Sequence, residues 1–521
     1  MALVIEQKPK YSPAAAGQEL IFVISEDTNI ITTKQKVKFL ATIYVAKQQT
    51  QPIVAGIFKA TPNNAGVGMF DVSTIIENYV SPDYSGVNEN IGTNNNSPVA
   101  STYGSFPFNE EAGYHPVHLI DRYCFSTNSI KFLSIVFNIE YLGAQGDEAL
   151  VETDLTMNAF SISYLIYNGV LYDTDVLNMT GNSPDFGYAL DYNTDRRSYI
   201  LQTSGSGEGA SGIGDYITDA PRTQDARIDD YGTLAFFNDL RYDTGIDSFY
   251  IGGLLTTPRT IKEIQIRLFD SSGSLLGSTM TITNNQLAGG YSNTGQDIGN
   301  TDFSTSRILY FGAYPANLTG GYAVDNTAYA DWNTHKANVS YYTIQARNQD
   351  DEPAGQQYRI NIIEGDCRFE HFRLCWLNKH GTWDYYTFTK KSIRSLTTNR
   401  TNYTQLGGTW NASTYQRRGD RGGQKNFKVN TKEKITVNTD YITEDYNEIM
   451  EQLINSPEVY IVNPYSSTVG FFASGGGLIN RHVQAVVLTT SGFTRKTVGN
   501  DKLIQYTIEF ERVNNRRTQR M

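Results

Sequence analysis

Apolar and polar residues alternate with period two along much of the chain, and that pattern is typical of half-buried β-strands. The alternation is clearest over 504–511, where the apolar positions are Ile504, Tyr506, Ile508 and Phe510. Residues 483–488 are the expected partner strand across a long loop. Residues 37–45, 130–141 and 160–167 show the same period. Strands are therefore the predicted main element.

A hairpin and two helices are also predicted. Residues 264–268 and 275–282 flank the turn residues 270–273, Asp-Ser-Ser-Gly, which favours a β-hairpin. Apolar residues at helical spacing predict an amphipathic helix over about 443–455, which Thr443 would cap and Pro457 would end. A shorter helix is expected from Asp71. Each helix would cover one face or end of a sheet.

The composition supports the same fold class. The 521 residues include 35 Tyr, 25 Phe and 45 Gly, and these residues suit pleated surfaces and turns. We predict an all-β fold with several antiparallel β-sandwich-like domains in series and a few short helices. The predicted domains are an N-terminal β-sandwich domain (1–173) with a long Asn/Ser/Gly-rich insert (87–107), a middle β domain (174–340) with a Ser/Gly-rich loop (203–214), and a C-terminal β domain (341–521) with the amphipathic helix.

Charge narrows the range of partners. The net charge of −11 makes nucleic acid an unlikely ligand, because phosphate binding requires Lys and Arg. Two local segments are nevertheless basic, and each could contact a neighbouring subunit or lie solvated. The assembly candidates in them are Arg417, Arg418, Arg421, Lys425, Arg516 and Arg517. Three cysteines do not make a disulfide scaffold and fit a reducing cytoplasm. No apolar run approaches the ~20 residues of a membrane span.

Motifs for catalysis or cofactor binding are weak. His115, His118 and Cys124 could contribute to a zinc site, but structural zinc sites usually show two clear ligand pairs. The glycine pattern at 207–212 lacks the helix that a dinucleotide site needs after it. No G-x-S-x-G nucleophile motif is found. The sequence therefore predicts no metal, no cofactor and no enzyme activity.

Aromatic residues are dense around 376–410. Trp376, Trp383 and Trp410 could form an exposed glycan-binding platform, or they could belong to a core. Strand alternation would direct about half of such residues inward, and large aromatic side chains dominate core burial, which favours the core.

The runs 372–378 and 381–386 resemble a segment of large virion structural proteins of tailed phages, notably phages of Bacteroidetes hosts and marine phages. Several other segments are similar to the same group: 70–73, 79–80, 137–141, 168–169, 230–234, 441–457 and 506–511. The resemblance implies a structural component of the tail, baseplate or neck, and it implies no catalytic residues. The inserts at 87–107 and 203–214 depart from the group.

We therefore expect a virion subunit that is assembled in the host cytoplasm, forms a homo-oligomer and contacts other virion proteins. One alternative is a receptor-binding or capsid-decoration protein that recognises host surface glycans through the tryptophans. A further alternative is a tail-associated depolymerase, although no long β-helix repeat is visible.

Overall fold

The computed structural model describes residues 3–9, 12–26, 32, 34–47, 52–83, 117–119, 123–126, 128–142, 151–154, 160–171, 198–203, 212–238, 261–284, 304, 307–319, 327–348, 350–364, 368–462, 483–497 and 504–513. These residues form two compact units. The first contains the described residues of 3–363 together with Leu377–Asp384, and the second contains those of 364–376, 385–462 and 483–513.

The strands up to residue 363 are β1 (Leu3–Gln7), β2 (Ala14–Ala15), β3 (Ile21–Glu26), β4 (Lys38–Ala46), β5 (Ile53–Ala60), β6 (Gly68–Asp71), β7 (Tyr123–Phe125), β8 (Ile130–Leu142), β9 (Val151–Asp154), β10 (Phe160–Tyr167), β11 (Thr223–Ala226), β12 (Thr233–Phe237), β13 (Ile261–Phe269), β14 (Leu275–Thr283), β15 (Ile308–Gly312), β16 (Tyr341–Asn348) and β17 (Pro353–Ile362).

The strands after residue 363 are β18 (Phe372–Leu377), β19 (Trp383–Phe388), β20 (Ile393–Gln405), β21 (Gly423–Asn438), β22 (Val459–Val462), β23 (Val483–Leu488) and β24 (Thr507–Arg512). The helices of the described residues include α1 (Ser73–Ile76), α2 (Thr327–His335) and α3 (Asn447–Asn455). None of the described helices is both long enough and apolar enough to cross a bilayer.

The first sandwich lies at the N-terminal end of the first unit. A three-stranded sheet, β1-β3-β6, packs on a larger sheet whose order is β2-β10-β8-β4-β5, with β9 paired to β8. Aromatic side chains join the two layers, and the rings of Phe22 and Phe70 lie 5.8 and 5.9 Å from that of Phe137. The predicted alternation of 37–45 is confirmed, because Phe39, Ala41 and Ile43 of β4 are all buried.

A second pair of sheets completes the described part of the first unit. The orders are β11-β17-β16-β13-β14 and β12-β15-β7. Tyr216 packs between them, with its ring 5.6 Å from Phe311 and 4.9 Å from Tyr358. The Tyr342 hydroxyl of one sheet donates to the Ala313 carbonyl beside the other at 2.7 Å. All-β, sandwich-like architecture is therefore confirmed.

The predicted hairpin at 264–282 is formed by β13 and β14. The Asp270 carboxylate accepts hydrogen bonds from the amides of Ser272 at 2.9 Å and Ser274 at 2.8 Å. Those bonds and the one from the Ser272 hydroxyl lower the pKa of Asp270. Gly273 supplies the positive φ of 81° that the turn requires. This turn therefore forms for the local reasons that its sequence indicated.

The second unit is built on a sheet of order β19-β18-β22-β23-β24-β21-β20. The predicted pairing of 483–488 with the last strand is confirmed, with Val487 opposite Glu511. Helix α3 buries Ile449, Met450 and Leu453, as its apolar stripe predicts. The Tyr506 hydroxyl also donates to the Asn447 side chain at 2.6 Å, which fixes the start of the helix.

Two predicted details are wrong. The Thr443 side chain makes no cap hydrogen bond, because the chain first forms a 3-10 turn over Glu444–Tyr446. The three predicted domain segments also differ from the units observed. Strand β7 pairs with β15 across residue 173, and β13 pairs with β16 across residue 340. Strands from distant parts of the sequence share sheets, so domain boundaries cannot fall at those two positions.

Candidate interaction arm

Strands β20 and β21 form a long two-stranded ribbon in the second unit. They pair from Ile393 and Thr436 to Gln405 and Gly423. Strand β24 pairs with β21 only over Lys434–Asn438, and no other described strand pairs with the ribbon beyond that point. Residues 397–432, here called the arm, therefore extend from the sheet. At a rise of ~3.3 Å per residue, the nine residues 397–405 make its strand portion about 30 Å long.

The tip of the arm is ordered by its own residues. The Gln416 amide donates to the Thr409 hydroxyl at 2.8 Å, and Gly408 forms a bridge with Arg417. The Tyr415 ring covers Gly408, where a Cβ atom would lie 2.4 Å from the ring. The ring of Trp410 lies 5.2 Å from that of Tyr415. These contacts give the tip a defined shape without help from the rest of the unit.

Charge at the base of the arm is balanced by ion pairs. The buried Glu433 lies 3.4 Å from Arg394 and 3.2 Å from Arg512. Lys434 pairs with Glu509 at 2.5 Å, and this lysine lowers the pKa of the Glu509 carboxyl. The base is therefore held by opposite charges on adjacent strands.

The arm itself, residues 397–432, has a large excess of positive charge. It carries seven Lys and Arg residues and a single carboxylate, Asp420, so its net charge is +6. Arg418 lies 3.3 Å from Asp420. No described carboxylate forms an ion pair with Arg400, Arg417, Arg421 or Lys428. These cations are free to bind an external acidic group.

Apolar side chains are also exposed on the arm. Trp410 is 63% exposed, and Leu406 and Phe427 are exposed to a similar extent. Tyr415 is exposed beside Trp410. Aromatic and arginine side chains together are typical of the residues that contribute most to protein interfaces. The arm therefore combines electrostatic attraction with groups that can be buried on contact.

The structure brings some of the predicted site residues together and separates others. Arg417, Arg418, Arg421 and Lys425 lie together in the tip or next to it, and Trp410 lies with them. Arg516 and Arg517 lie outside the described residues. The sequence located the basic cluster through its composition, but it gave no indication that the cluster stands at the end of a ribbon.

The prediction that three tryptophans form an exposed platform is wrong. Trp376 and Trp383 are buried, because nearly every residue of β18 and β19 is buried and neither strand has a face open to solvent. Trp383 also donates from its indole nitrogen to the Asp83 carbonyl at 3.0 Å. Of the three residues only Trp410 can meet a ligand at the surface.

The predicted metal ligands do not form a described site. The His118 ring is buried, and it packs edge-on against Trp383 at 5.0 Å. His115 lies outside the described residues, and so does the side chain of Cys124. No group of three or more metal-ligating side chains is found in the described part of the chain.

No protein-family model matches this chain. No curated protein shows significant similarity to it either. Function is therefore inferred from the geometry of the chain itself.

A buried ionic cluster is the second feature with possible chemistry. It lies in the first unit, where the turn between β18 and β19 carries Lys379 and His380. Asp219 lies 3.3 Å from the Lys379 ammonium and 3.5 Å from His380, and it accepts a hydrogen bond from the Tyr199 hydroxyl. Burial alone would raise the pKa of Asp219, but the neighbouring His380, Lys379 and Tyr199 together lower it.

The same turn is fixed by further polar contacts. The Asn378 side chain accepts hydrogen bonds from the amides of His380 and Thr382, both at 3.0 Å. Thr218 donates to Asp384. Gly381 has a φ of 74°, and a Cβ atom there would lie 1.6 Å from the Asn168 carbonyl oxygen. The carboxylate of Asp219 and the ammonium of Lys379 are buried and paired with each other, so this cluster belongs to the interior of the first unit and not to its surface.

Proposed function

We propose that this chain is a structural subunit of a phage particle, in its tail, baseplate or neck, and that it assembles through the arm. The arm is the observation that carries the proposal. A two-stranded ribbon of this length is marginally stable by itself in water, so its exposed residues favour a partner that covers them. The resemblance of 372–386 to tailed-phage virion proteins supports placement in a virion that is assembled in the host cytoplasm.

A second copy of the chain is the partner that charge favours. The whole chain has a net charge of −11 and the arm has +6, so the remainder has −17, the difference between the two. Opposite net charges steer association and fix orientation. An arm that contacts a different surface of the next copy makes a head-to-tail contact. Such contacts form a ring if the rotation between copies closes.

The proposal is tested by light scattering on the purified full-length protein. The arm variant Arg417→Glu/Arg418→Glu/Arg421→Glu reverses three exposed charges at the tip. The matched control Arg267→Glu/Lys391→Glu/Arg495→Glu changes net charge by the same amount at exposed positions outside the arm. We expect a defined multimer for the wild type and the control, and a smaller species for the arm variant. The wild-type multimer should also shrink in 1 M salt, because screening weakens contacts between exposed charges.

Equal masses for the arm variant and the wild type would show that the arm does not mediate assembly. A wild-type protein that remains a single chain and never joins particles would contradict the proposal as a whole.

Recognition of host surface glycans is a second candidate, and the Trp410–Tyr415 pair favours it. Two exposed aromatic rings at the end of a projecting arm could stack on a sugar. In that case Trp410→Ala should abolish binding on a glycan array, whereas the basic residues of the tip should matter little for neutral sugars. If Trp410→Ala instead reduces the multimer mass and no glycan binds, this second candidate is excluded.

A further inference from the structure

Strand β5 forms one end of the six-stranded sheet in the first sandwich. It pairs with β4 from Ile53 opposite Val45 to Ala60 opposite Phe39. Among the described strands none pairs with its other edge. The outward-facing backbone groups of an end strand are a template for a further strand.

The side chains of β5 are unusual for such an edge. Ile53 is 66% exposed, Val54 is 52% exposed and Ile57 is 60% exposed, and Phe58 is partly exposed as well. Adjacent residues of a strand point to opposite faces, so β5 presents apolar groups on both faces of the sheet. Edge strands are normally protected by unpaired charge, proline or a covering segment.

Strand β5 carries little protective charge. Lys59 is its only charged residue, and its ammonium lies 2.5 Å from the Glu140 carboxylate of β8. Pro52 precedes the strand and leaves its backbone amides available. The edge is therefore neutral, apolar and able to form hydrogen bonds along its length.

We infer that β5 pairs with β5 of a second copy of this chain, in antiparallel orientation around a two-fold axis. A neutral edge meets its own copy without like-charge repulsion, and a two-fold contact between identical strands is self-complementary. The arm of a neighbour, with its net charge of +6, finds no acidic complement on β5. This contact differs from the arm contact in chemistry and in the residues it uses, and it does not depend on the arm.

The test combines both interfaces. Ile57→Lys places a charge on the edge, and Leu275→Lys is the matched control at an exposed apolar position of β14. Each substitution is made in the arm variant, Arg417→Glu/Arg418→Glu/Arg421→Glu, and the mass of the protein is measured by light scattering in 1 M salt. The arm contact is removed under these conditions. We expect the arm variant to have twice the mass of one chain, both by itself and when it also carries Leu275→Lys. Ile57→Lys should halve the mass.

Ile53→Lys should have the same effect, and the circular dichroism spectrum should stay unchanged because both residues are exposed. A single-chain mass for the arm-variant background with β5 intact would overturn the inference and leave the arm proposal standing. If the Ile57→Lys variant keeps the doubled mass in this background, the inference is likewise overturned and the arm proposal still stands. Conversely, a wild-type protein that forms only a salt-resistant dimer would support β5 pairing and count against the arm.

Discussion

Two hairpin turns in this molecule carry basic residues, and their environments are opposite. The side chains of Lys379 and His380 are buried in the turn between β18 and β19, whereas Arg417 and Arg418 are exposed at the tip of the arm. Local sequence does not separate the two cases, since both turns contain Gly and polar residues. What differs is the partner, because Asp219 receives the first pair inside the fold. The comparison teaches that the basic residue of the first turn is buried because the fold supplies an acidic partner for it, a feature that the turn's own sequence does not reveal.

The largest effect in the first unit is expected from Asp219→Asn. This change leaves the buried Lys379 ammonium without its compensating charge, and loss of one member of a buried ion pair costs ~3–5 kcal/mol of unfolding free energy. The exposed Asp350→Asn is the control, and it should change stability by less than ~0.5 kcal/mol. Chemical denaturation of each variant beside the wild type measures both changes in unfolding free energy. Equal stability of the two variants would mean that the cluster contributes nothing.

A smaller loss is expected from Gly381→Ala. The new Cβ would collide with the Asn168 carbonyl oxygen, and the left-handed backbone at this residue disfavours a side chain. We expect a loss of ~2–3 kcal/mol. Gly419→Ala at the arm tip meets nothing within 4 Å and should be almost neutral. If thermal unfolding shows the same shift for both, the two turns do not differ as described.

Acid should weaken the buried turn. The folded-state pKa of Asp219 is lowered, so the stability from this group is present above its unfolded pKa of ~3.9 and is lost as pH falls below that value. The difference in melting temperature between wild type and Asp219→Asn should therefore narrow from pH 5 to pH 3. A difference that stays constant over this range would contradict the assignment.

The smallest effect on stability is expected from Trp410→Ala. The ring is exposed and packs mainly on Tyr415, so the melting temperature should change by less than ~1 °C, equivalent to a few tenths of a kcal/mol. Scanning calorimetry can measure this beside Trp376→Ala. The latter removes a fully buried ring from the second unit and should cost ~3–5 kcal/mol. A large loss from Trp410→Ala would show that the tip is packed rather than free.

Features that depend on neighbouring residues were predictable from the sequence. The alternation of β24, the hairpin of β13 and β14 and the apolar stripe of α3 each rest on local periodicity, and all three are confirmed. The basic cluster at Arg417 was also visible, because composition alone reveals it.

Features that depend on distant residues were not predictable. Strand β11 pairs in parallel with β17, more than 130 residues later in the chain, and no local pattern indicates this. The same reason explains the incorrect domain boundaries. Trp376 and Trp410 could not be assigned to core and surface until the sheet was known. The burial of Lys379 was hidden because Asp219 lies far from it in sequence.

The buried turn also has a consequence for the order of events during synthesis. Asp219 leaves the ribosome 160 residues before its partner Lys379, the difference between the two positions. Until residues 377–384 emerge, Asp219 lacks the Lys379 ammonium that lies 3.3 Å from it in the folded chain. The first unit therefore cannot reach its final stability while the chain is shorter than this turn, although most of its strands have already been made. Completion of the first unit is thus coupled to translation of a turn that follows the first segment of the second unit in the sequence.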